Sequence, residues 1–202
     1  MSAAVLAFDT SGPHCAACLL LQDQVFLRQE DMAKGQAERL MPLLEELLAE
    51  AGIGWRDLTL LAVGTGPGNF TGVRIAVAAA RGLALGLGIP AIGVTTLEAL
   101  AHGLPRPLRV VEDARRGMVY VQSFGPGSAA ILTEAASLPA FAGPETGSAA
   151  KAPLPPAMPL AEAIARIAAS RAGSPQPRPA PFYLRGADAL PPSDPPPVIL
   201  DA

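Results

Sequence analysis

The pattern of apolar and polar positions predicts alternating strands and helices over the first half of the chain. Short apolar runs at 5–8, 16–21 and 25–28 predict three successive strands. Between residues 36 and 51 the leucines recur at spacings of three and four, and glutamates take the opposite face. That periodicity predicts an amphipathic helix with one face packed on the strands.

The next segment predicts a strand, a glycine-rich loop and a second helix. Residues 59–63 form an apolar run typical of a buried strand, and residues 64–72 hold four glycines and a proline. Residues 73–87 contain no proline and are apolar on every face, which favours a helix buried on more than one side. Thr71 is the predicted N-cap of that helix.

A strand at 91–94 and a short helix at 96–102 complete a βββαβαβα series. This order resembles one lobe of the actin, hexokinase and Hsp70 ATPases. The predicted fold class is therefore α/β, with actin/Hsp70-like (ASKHA), ribonuclease-H-like lobes. The first lobe is complete and is predicted to span residues 1–102.

The second lobe, predicted at 103–202, is reduced. Strands at 108–111 and 119–124 and one helix at 160–171 are its predicted regular elements. The stretch 126–159 is rich in alanine, glycine and proline, which favours irregular cover or disorder. The proline-rich segments that remain are predicted to be an extended linker and a loose tail, at 174–181 and 191–197.

The glycine loop lacks the residues of two well-known phosphate-binding motifs. A P-loop requires a lysine after its last glycine, and the chain has no lysine between Lys34 and Lys151. A Rossmann fingerprint requires a third glycine where Asn69 stands. Two interpretations stay open, an anion site made of backbone N–H groups or a tight loop without a ligand.

The loop belongs to a long string that carries more information than its spacing. The sequence Gly-Thr-Gly-Pro-Gly-Asn-Phe-Thr-Gly-Val-Arg-Ile at 64–75 resembles the TsaB family, the bacterial dimerisation subunits for making threonylcarbamoyladenosine in tRNA. Phe-Asp-Thr-Ser at 8–11, Glu-Asp-Ala-Arg-Arg at 112–116 and Pro-Phe-Tyr-Leu-Arg at 181–185 agree with it. The resemblance is dense over residues 4–123. Met118 departs from the glutamate that the family usually has there.

The resemblance implies a non-catalytic subunit that works inside a complex. Its expected partners are a TsaD-like threonylcarbamoyltransferase and a TsaE-like ATPase, with a homodimer when the chain is alone. tRNA is expected only through the complex, and no cofactor is expected beyond a candidate nucleotide at the partner interface. Two other functions stay open, an actin-fold ATPase or kinase that uses Asp9 and the 64–72 loop, and a homodimeric scaffold of unrelated role.

The positions where the catalytic sister protein of the family carries two metal-binding histidines fall on Thr96 and Leu100. Leucine cannot ligate a metal, and His14 and His102 stand far apart in the sequence, so no metal site is predicted. The segment after the first strand has two interpretations: a vestigial nucleotide contact, or a hairpin held by side-chain to backbone hydrogen bonds. The candidate nucleotide or loop residues are Asp9, Thr10, Ser11, Gly66, Gly68, Thr71 and Arg74.

Composition adds a few limits. A net charge of −3 and an aromatic content of 4% give neither a basic footprint nor a stacking platform for nucleic acid. No secretory signal is recognised, so a cytoplasmic protein is expected. Arg81 interrupts the apolar stretch 75–94, which favours a buried helix and strand over a membrane span. Cys15 and Cys18 stand three apart on a predicted strand, so they are expected on opposite faces, buried and structural.

The two long helices carry more apolar surface than one contact needs. The apolar arc of the 36–51 helix spans about 160°, against the roughly 100° of a one-sided surface helix. We therefore expect both helices to pack on their equivalents in the partner as a four-helix bundle. The alternative is that the second lobe of the same chain fills both arcs. The predicted interface residues are Leu40, Met41, Leu44, Leu48, Ala78, Ala79, Gly82 and Gly86.

Overall fold

The larger of two sheets has five strands in the order β3-β2-β1-β4-β5, in a computed structural model that describes residues 4–22, 24–125 and 128–184. β1 pairs antiparallel with β2 and parallel with β4, and β4 pairs parallel with β5. The βββαβαβα series and the fold class are confirmed. The strands are β1 Ala4–Asp9, β2 His14–Leu21, β3 Gln24–Asp31, β4 Leu60–Gly64 and β5 Ala91–Val94.

One face of this sheet is covered by the two long helices, α1 (Gln36–Glu50) and α2 (Phe70–Leu87). Successive residues of a strand point to opposite faces, so Leu6 and Phe8 of β1 reach this layer. There they meet the leucines of α1, including Leu43, which is fully buried. The periodic leucines of α1 are therefore explained by the sheet of the same chain.

The other face of the sheet is covered by α4 (Leu160–Arg171), whose bounds match the prediction. Ile164 and the alanines of α4 pack on Val5 and Ala7 of β1. The proposed boundary at residue 102 does not describe this arrangement, because a helix from the second half of the chain completes the first lobe. The small alanine side chains let α4 lie close to the sheet. The sequence pattern alone did not reveal that α4 packs on the first sheet.

The second sheet has four strands in the order β8-β7-β6-β9 and packs against α3 (Thr96–Ala101). The prediction of irregular cover or disorder over 126–159 is wrong for β8, β9 and the 3₁₀ turn at Ala135–Ser137. Pro126 and Gly127 and the tail at 191–197 lie outside the described residues. The strands are β6 Leu108–Asp113, β7 Met118–Phe124, β8 Ile131–Glu134 and β9 Glu145–Thr146.

A largely buried arginine holds the segment that follows β8 onto the second sheet. The Arg109 guanidinium forms an ion pair with Glu145 and donates a hydrogen bond to the Pro139 carbonyl at 2.7 Å. It also lies over the Phe141 ring, 4.9 Å from the centroid. Arg109 therefore has a structural role.

A proline-rich segment from later in the chain lies beside β5, the edge strand of the first sheet. Pro179 is buried beside Gly93, where an added Cβ would lie 3.6 Å from the Pro179 Cα. A few residues later the Phe182 N–H donates to the Thr65 carbonyl at 2.8 Å. The predicted linker at 174–181 is therefore attached to the first lobe.

The two cysteines lie on opposite faces of β2, as predicted. Cys15 belongs to the core under α1 and α2, and Cys18 belongs to the core under α4. Both are free thiols, and burial raises the pKa of Cys15 to about 11 and that of Cys18 to about 12. Both thiols stay protonated at neutral pH, which is consistent with a structural role.

A prediction follows from the place of α4. Ile164→Ala and Leu43→Ala each remove a fully buried side chain, one from each face of the same sheet. We expect each to lower the free energy of unfolding by about 2–5 kcal/mol. Each variant should unfold in a single urea transition, because both faces share one sheet.

Ile131→Ala is the control, since Ile131 is 51% exposed and its loss should change stability by less than about 0.5 kcal/mol. If Ile164→Ala produced a separate early transition and left the remainder at wild-type stability, α4 would not be integral to the first lobe.

Candidate functional site

The turn after β1 is organised by a buried carboxylate. Asp9 is fully buried, and its Oδ1 accepts from the Ser11 N–H at 3.0 Å and from the Ser11 hydroxyl at 2.9 Å. His14 Nε2 lies 2.8 Å from the same oxygen. These bonds are those expected of a side chain that stabilises the hairpin. The part of His14 was not recognised from the sequence, because five residues separate it from Asp9 across a turn.

The turn and the glycine loop touch through their backbones. The Asn69 N–H donates to the Ser11 carbonyl at 2.6 Å, and the Thr10 hydroxyl donates to the Gly72 carbonyl at 2.7 Å. A Cβ on Gly72 would lie 1.8 Å from the Thr10 carbonyl oxygen, and one on Gly68 would lie 2.5 Å from that of Ser11. Glycine is required here because the two chains approach too closely for any side chain.

The N-cap of α2 is Asn69, so the assignment of Thr71 to that role is wrong. The Asn69 Oδ1 accepts from the backbone N–H groups of Thr71 and Gly72, each at 3.0 Å. Asn caps helices as well as Ser or Thr does, and it stands one position before the first helical residue. Two of the N–H groups that a phosphate would need are therefore already bonded.

The remaining atoms of the site are enclosed by the chain itself. Oδ2 of Asp9 is buried without a hydrogen-bond partner among the described residues, and a Cβ on Gly64 would lie 1.9 Å from it. Gly66 has a φ of 84°, and its carbonyl accepts from the Thr96 N–H at 2.8 Å. The loop therefore joins the first strand turn to α3. At Gly64 the chain lies too close to Asp9 for even a Cβ.

The two positions that correspond to metal-binding histidines in the family lie in or against the protein core. Thr96 is buried, and its Oγ1 has no hydrogen-bond partner within the described ranges. Leu100 packs against the core between α3 and the second sheet. Within residues 4–22, 24–125 and 128–184, no three His, Cys, Asp or Glu side chains are close enough to hold a metal ion.

Two distant parts of the family motif meet at the start of α2. Arg74 donates through Nε to the Tyr183 hydroxyl at 3.1 Å, and its guanidinium lies 3.7 Å from the centroid of the Phe70 ring. The Phe70 and Tyr183 rings are 5.0 Å apart. Arg74 therefore fastens the 181–184 segment to α2, which is a structural use of a residue predicted as a loop contact. Arg185 lies outside the described residues.

The outer face of α2 is open. The prediction that this helix is buried on more than one side is wrong, because its buried residues lie on one side only and 28% of the helix is buried. Ala78, Gly82 and Gly86 are exposed, and an added Cβ on either glycine meets nothing within 4 Å. Leu85 on the same face is 83% exposed. By length and composition alone α2 could cross a membrane, although its buried side belongs to the protein core.

Most of the predicted interface residues of α1 are buried in the core of the same chain. Leu40, Leu44 and Leu48 are at most 2% exposed, because they pack on the sheet, so they cannot also contact a partner. Met41 is 36% exposed. Ala79 of α2 is half-buried against the same core. The predicted residues that stay accessible are Met41, Ala78, Gly82 and Gly86, and with Leu85 we call them the open helix face.

The polar side of α1 is held by ion pairs to β3. Arg39 pairs with Glu30 and with Glu46, and Arg28 pairs with Glu46 and Glu50. Hydrogen bonds from Arg39 lower the pKa of Glu46 to about 2. The α1 glutamates nearest β3 are therefore paired with arginines of the same chain. The open helix face lies on the opposite side of α1, towards α2.

A prediction follows from the two helical glycines of α2. Gly72→Ala should lower the free energy of unfolding by about 1–3 kcal/mol, because the new methyl group would strike the Thr10 carbonyl oxygen. Gly82→Ala should raise it by about 0.5–1 kcal/mol, because the site is open and alanine favours the helix. Urea denaturation of both variants measures this. A Gly72→Ala protein as stable as the wild type would contradict the close contact.

Comparison with known proteins agrees with the motif. The family model described as "TsaD: tRNA N6-adenosine threonylcarbamoyltransferase" matches residues 25–181. TsaB of Escherichia coli is 40% identical over 121 residues, 57% of this chain and 52% of that protein. TsaB of Bacillus subtilis is 39% identical over 123 residues, 57% and 52% of the two chains. These matches span about half the length of those relatives.

Longer matches cover nearly the whole chain. An uncharacterized protein of Mycobacterium tuberculosis is 34% identical over 200 residues, 93% of this chain and 94% of that protein. The solved structure of YeaZ from Pseudomonas aeruginosa superposes with a TM-score of 0.73 at 26% identity, covering 90% of this chain and 100% of that one. The chain therefore belongs to the TsaD family of tRNA N6-adenosine threonylcarbamoyltransferase proteins and, within it, to the TsaB group.

Proposed function

We propose that this chain is a non-catalytic dimerisation subunit of a complex that makes N6-threonylcarbamoyladenosine in tRNA. The names of the TsaB relatives support a role in making threonylcarbamoyladenosine, and the family model supports a transferase as the partner. The catalytic subunit is a TsaD-like threonylcarbamoyltransferase, and a TsaE-like ATPase completes the set. The complex works in the cytoplasm and binds tRNA, which this acidic chain does not bind strongly by itself.

The open helix face is the observation that carries the proposal. It presents one large apolar side chain, Leu85, beside alanine and glycine positions that leave the helix backbone accessible. Small residues let a second helix approach closely, and an exposed apolar patch on a soluble protein marks an interaction site. The second sheet packs on α3 rather than on α2, so within the described residues that sheet does not cover this face.

The geometry favours a partner of the same fold. α1 and α2 lie side by side on one face of the sheet, and Met41 of α1 is accessible beside the open face of α2. Two such layers brought together about a two-fold axis place four helices in contact, each patch facing its equivalent. A TsaD-like subunit would supply the second layer. A second copy would supply it when that subunit is absent.

The alternative of an actin-fold ATPase has less support. Asp9 is enclosed by Ser11, His14 and the glycine loop, and the loop packs on the turn so closely that a Cβ at Gly68 or Gly72 would clash. Asn69 caps the helix end that would otherwise bind one. These contacts favour a loop that stabilises the fold, with the chemistry in the partner.

The interface is tested by Gly82→Leu. The added side chain has open space in the single chain and leucine favours the helix over glycine, so the variant should fold and be at least as stable as the wild type. Because it fills the close contact between helices, we expect the affinity for the TsaD-like partner and for a second copy to fall at least about tenfold. Titration calorimetry with the partner and size-exclusion chromatography of the lone protein measure this.

Ser170→Leu provides the matched control, since Ser170 is an exposed residue of α4 on the far side of the sheet. It should leave both affinities unchanged. A folded Gly82→Leu protein that binds its partner as tightly as the wild type would place the interface elsewhere.

The second test of the proposal is an assay of the lone chain for ATP hydrolysis and bound metal. The purified chain should hydrolyse ATP only at the background rate and carry no stoichiometric transition metal. The reason is the enclosed Asp9 and the Thr96 and Leu100 pair at the positions of metal ligands. Elemental analysis and a phosphate-release assay check both points, and ATP turnover abolished by Asp9→Asn would support the actin-fold ATPase instead.

A further inference from the structure

A cavity of about 670 Å³ lies at the β5 edge of the first sheet, away from the glycine loop. The ends of α2 and α4 and the proline-rich segment at 174–179 form its walls. Its lining is mostly apolar and includes Leu60, Leu85, Ile89, Ile92 and Ala169. Its volume falls in the range of small-molecule sites, about 300–1,000 Å³.

Two arginines line this apolar cavity, Arg81 from α2 and Arg178 from the proline-rich segment. The lining contains no aspartate or glutamate. Neither arginine forms an ion pair or a side-chain hydrogen bond within the described part of the chain. By contrast, Arg28, Arg39 and Arg109 are all paired with glutamates.

The other polar groups of the cavity have partners in the chain. Gln176 donates to the Ser174 hydroxyl at 2.9 Å, and that hydroxyl donates to the Arg171 carbonyl at 2.7 Å. The Thr59 hydroxyl is bonded to the Ala4 backbone. The two guanidiniums are therefore the polar groups of the lining side chains that are left for a ligand, and guanidinium binds carboxylate and other oxyanions.

The charge at the cavity indicates how many negative charges a ligand should carry. The C-caps of α2 and α4, Gly88 and Ala172, both line it. Each helix C-terminus acts as about half a negative charge, so the two guanidiniums leave about one net positive charge. That balance suits a single anionic group better than a di- or triphosphate. The lining contains no aromatic ring on which a nucleobase could stack.

We propose that this cavity binds a small amphipathic monoanion. The anionic head, a carboxylate, lies between Arg81 and Arg178, and an apolar body lies against Leu60, Ile89 and Ile92. The cavity adjoins the proposed partner interface at Arg81 and Leu85, which are both exposed on α2. It does not depend on the role of the chain in tRNA modification.

Decanoate is a suitable probe, with decanol as the uncharged molecule of the same length. Titration calorimetry on the full chain should show saturable binding of decanoate to one site, with decanol at least about tenfold weaker. The double variant with Arg81→Gln and Arg178→Gln should lose at least about tenfold in decanoate affinity and leave decanol unchanged. Arg116→Gln is the control, because Arg116 is exposed in the turn between β6 and β7 of the second sheet and is not among the lining residues.

A second pair of variants tests the charge without touching the arginines. Leu85 is 83% exposed, so substitution there should leave the fold intact. Leu85→Asp places a carboxylate one helical turn from Arg81 in the lining and should lower decanoate affinity, whereas Leu85→Asn should lower it much less. Equal binding of decanoate and decanol, no saturable binding, or equal effects of the Asp and Asn variants would overturn the proposal. If the double arginine variant fails to fold, this pair decides the question.

Discussion

The first lobe depends on the close approach of two stretches of backbone. The turn that follows β1 and the loop that follows β4 come within hydrogen-bond distance through Ser11 and Asn69. The parallel pairing of those two strands carries both chain reversals to the same end of the sheet. Glycine at 68 and 72 makes the approach sterically allowed, and Asp9 holds the turn from within. The position of α2 on the sheet follows from this contact.

The elements along the chain could be predicted from hydrophobic periodicity, but their partners could not. β5 and α4 were predicted at their observed bounds, since apolar runs and helical spacing are local signals. The packing of α4 on the first sheet depends on contacts between residues far apart in the sequence. The hydrophobic periodicity of a short alanine-rich helix shows which face is buried but not which sheet covers it. β9 was missed for the related reason that its two residues are too few for a pattern.

The candidate site shows the same limit at the level of side chains. The sequence identified Asp9, Ser11 and the loop glycines as a group, and the structure brings them together. It did not identify His14 or Asn69, because their roles depend on which backbone atoms face them after folding. Only part of the predicted interface is accessible, for a similar reason. The apolar stripe on α1 does not reveal whether the sheet of the same chain or a partner covers it.

The proline-rich segment beside β5 has a consequence for aggregation. A strand at the edge of a sheet offers unpaired N–H and C=O groups to which any extended chain can add. Pro179, beside Gly93, has no N–H to donate, so this segment shields the edge without becoming a sixth strand. Association of copies by strand addition is thereby discouraged at this edge. The protein can thus expose the apolar α2 for recognition without also offering the neighbouring β5 edge for strand addition.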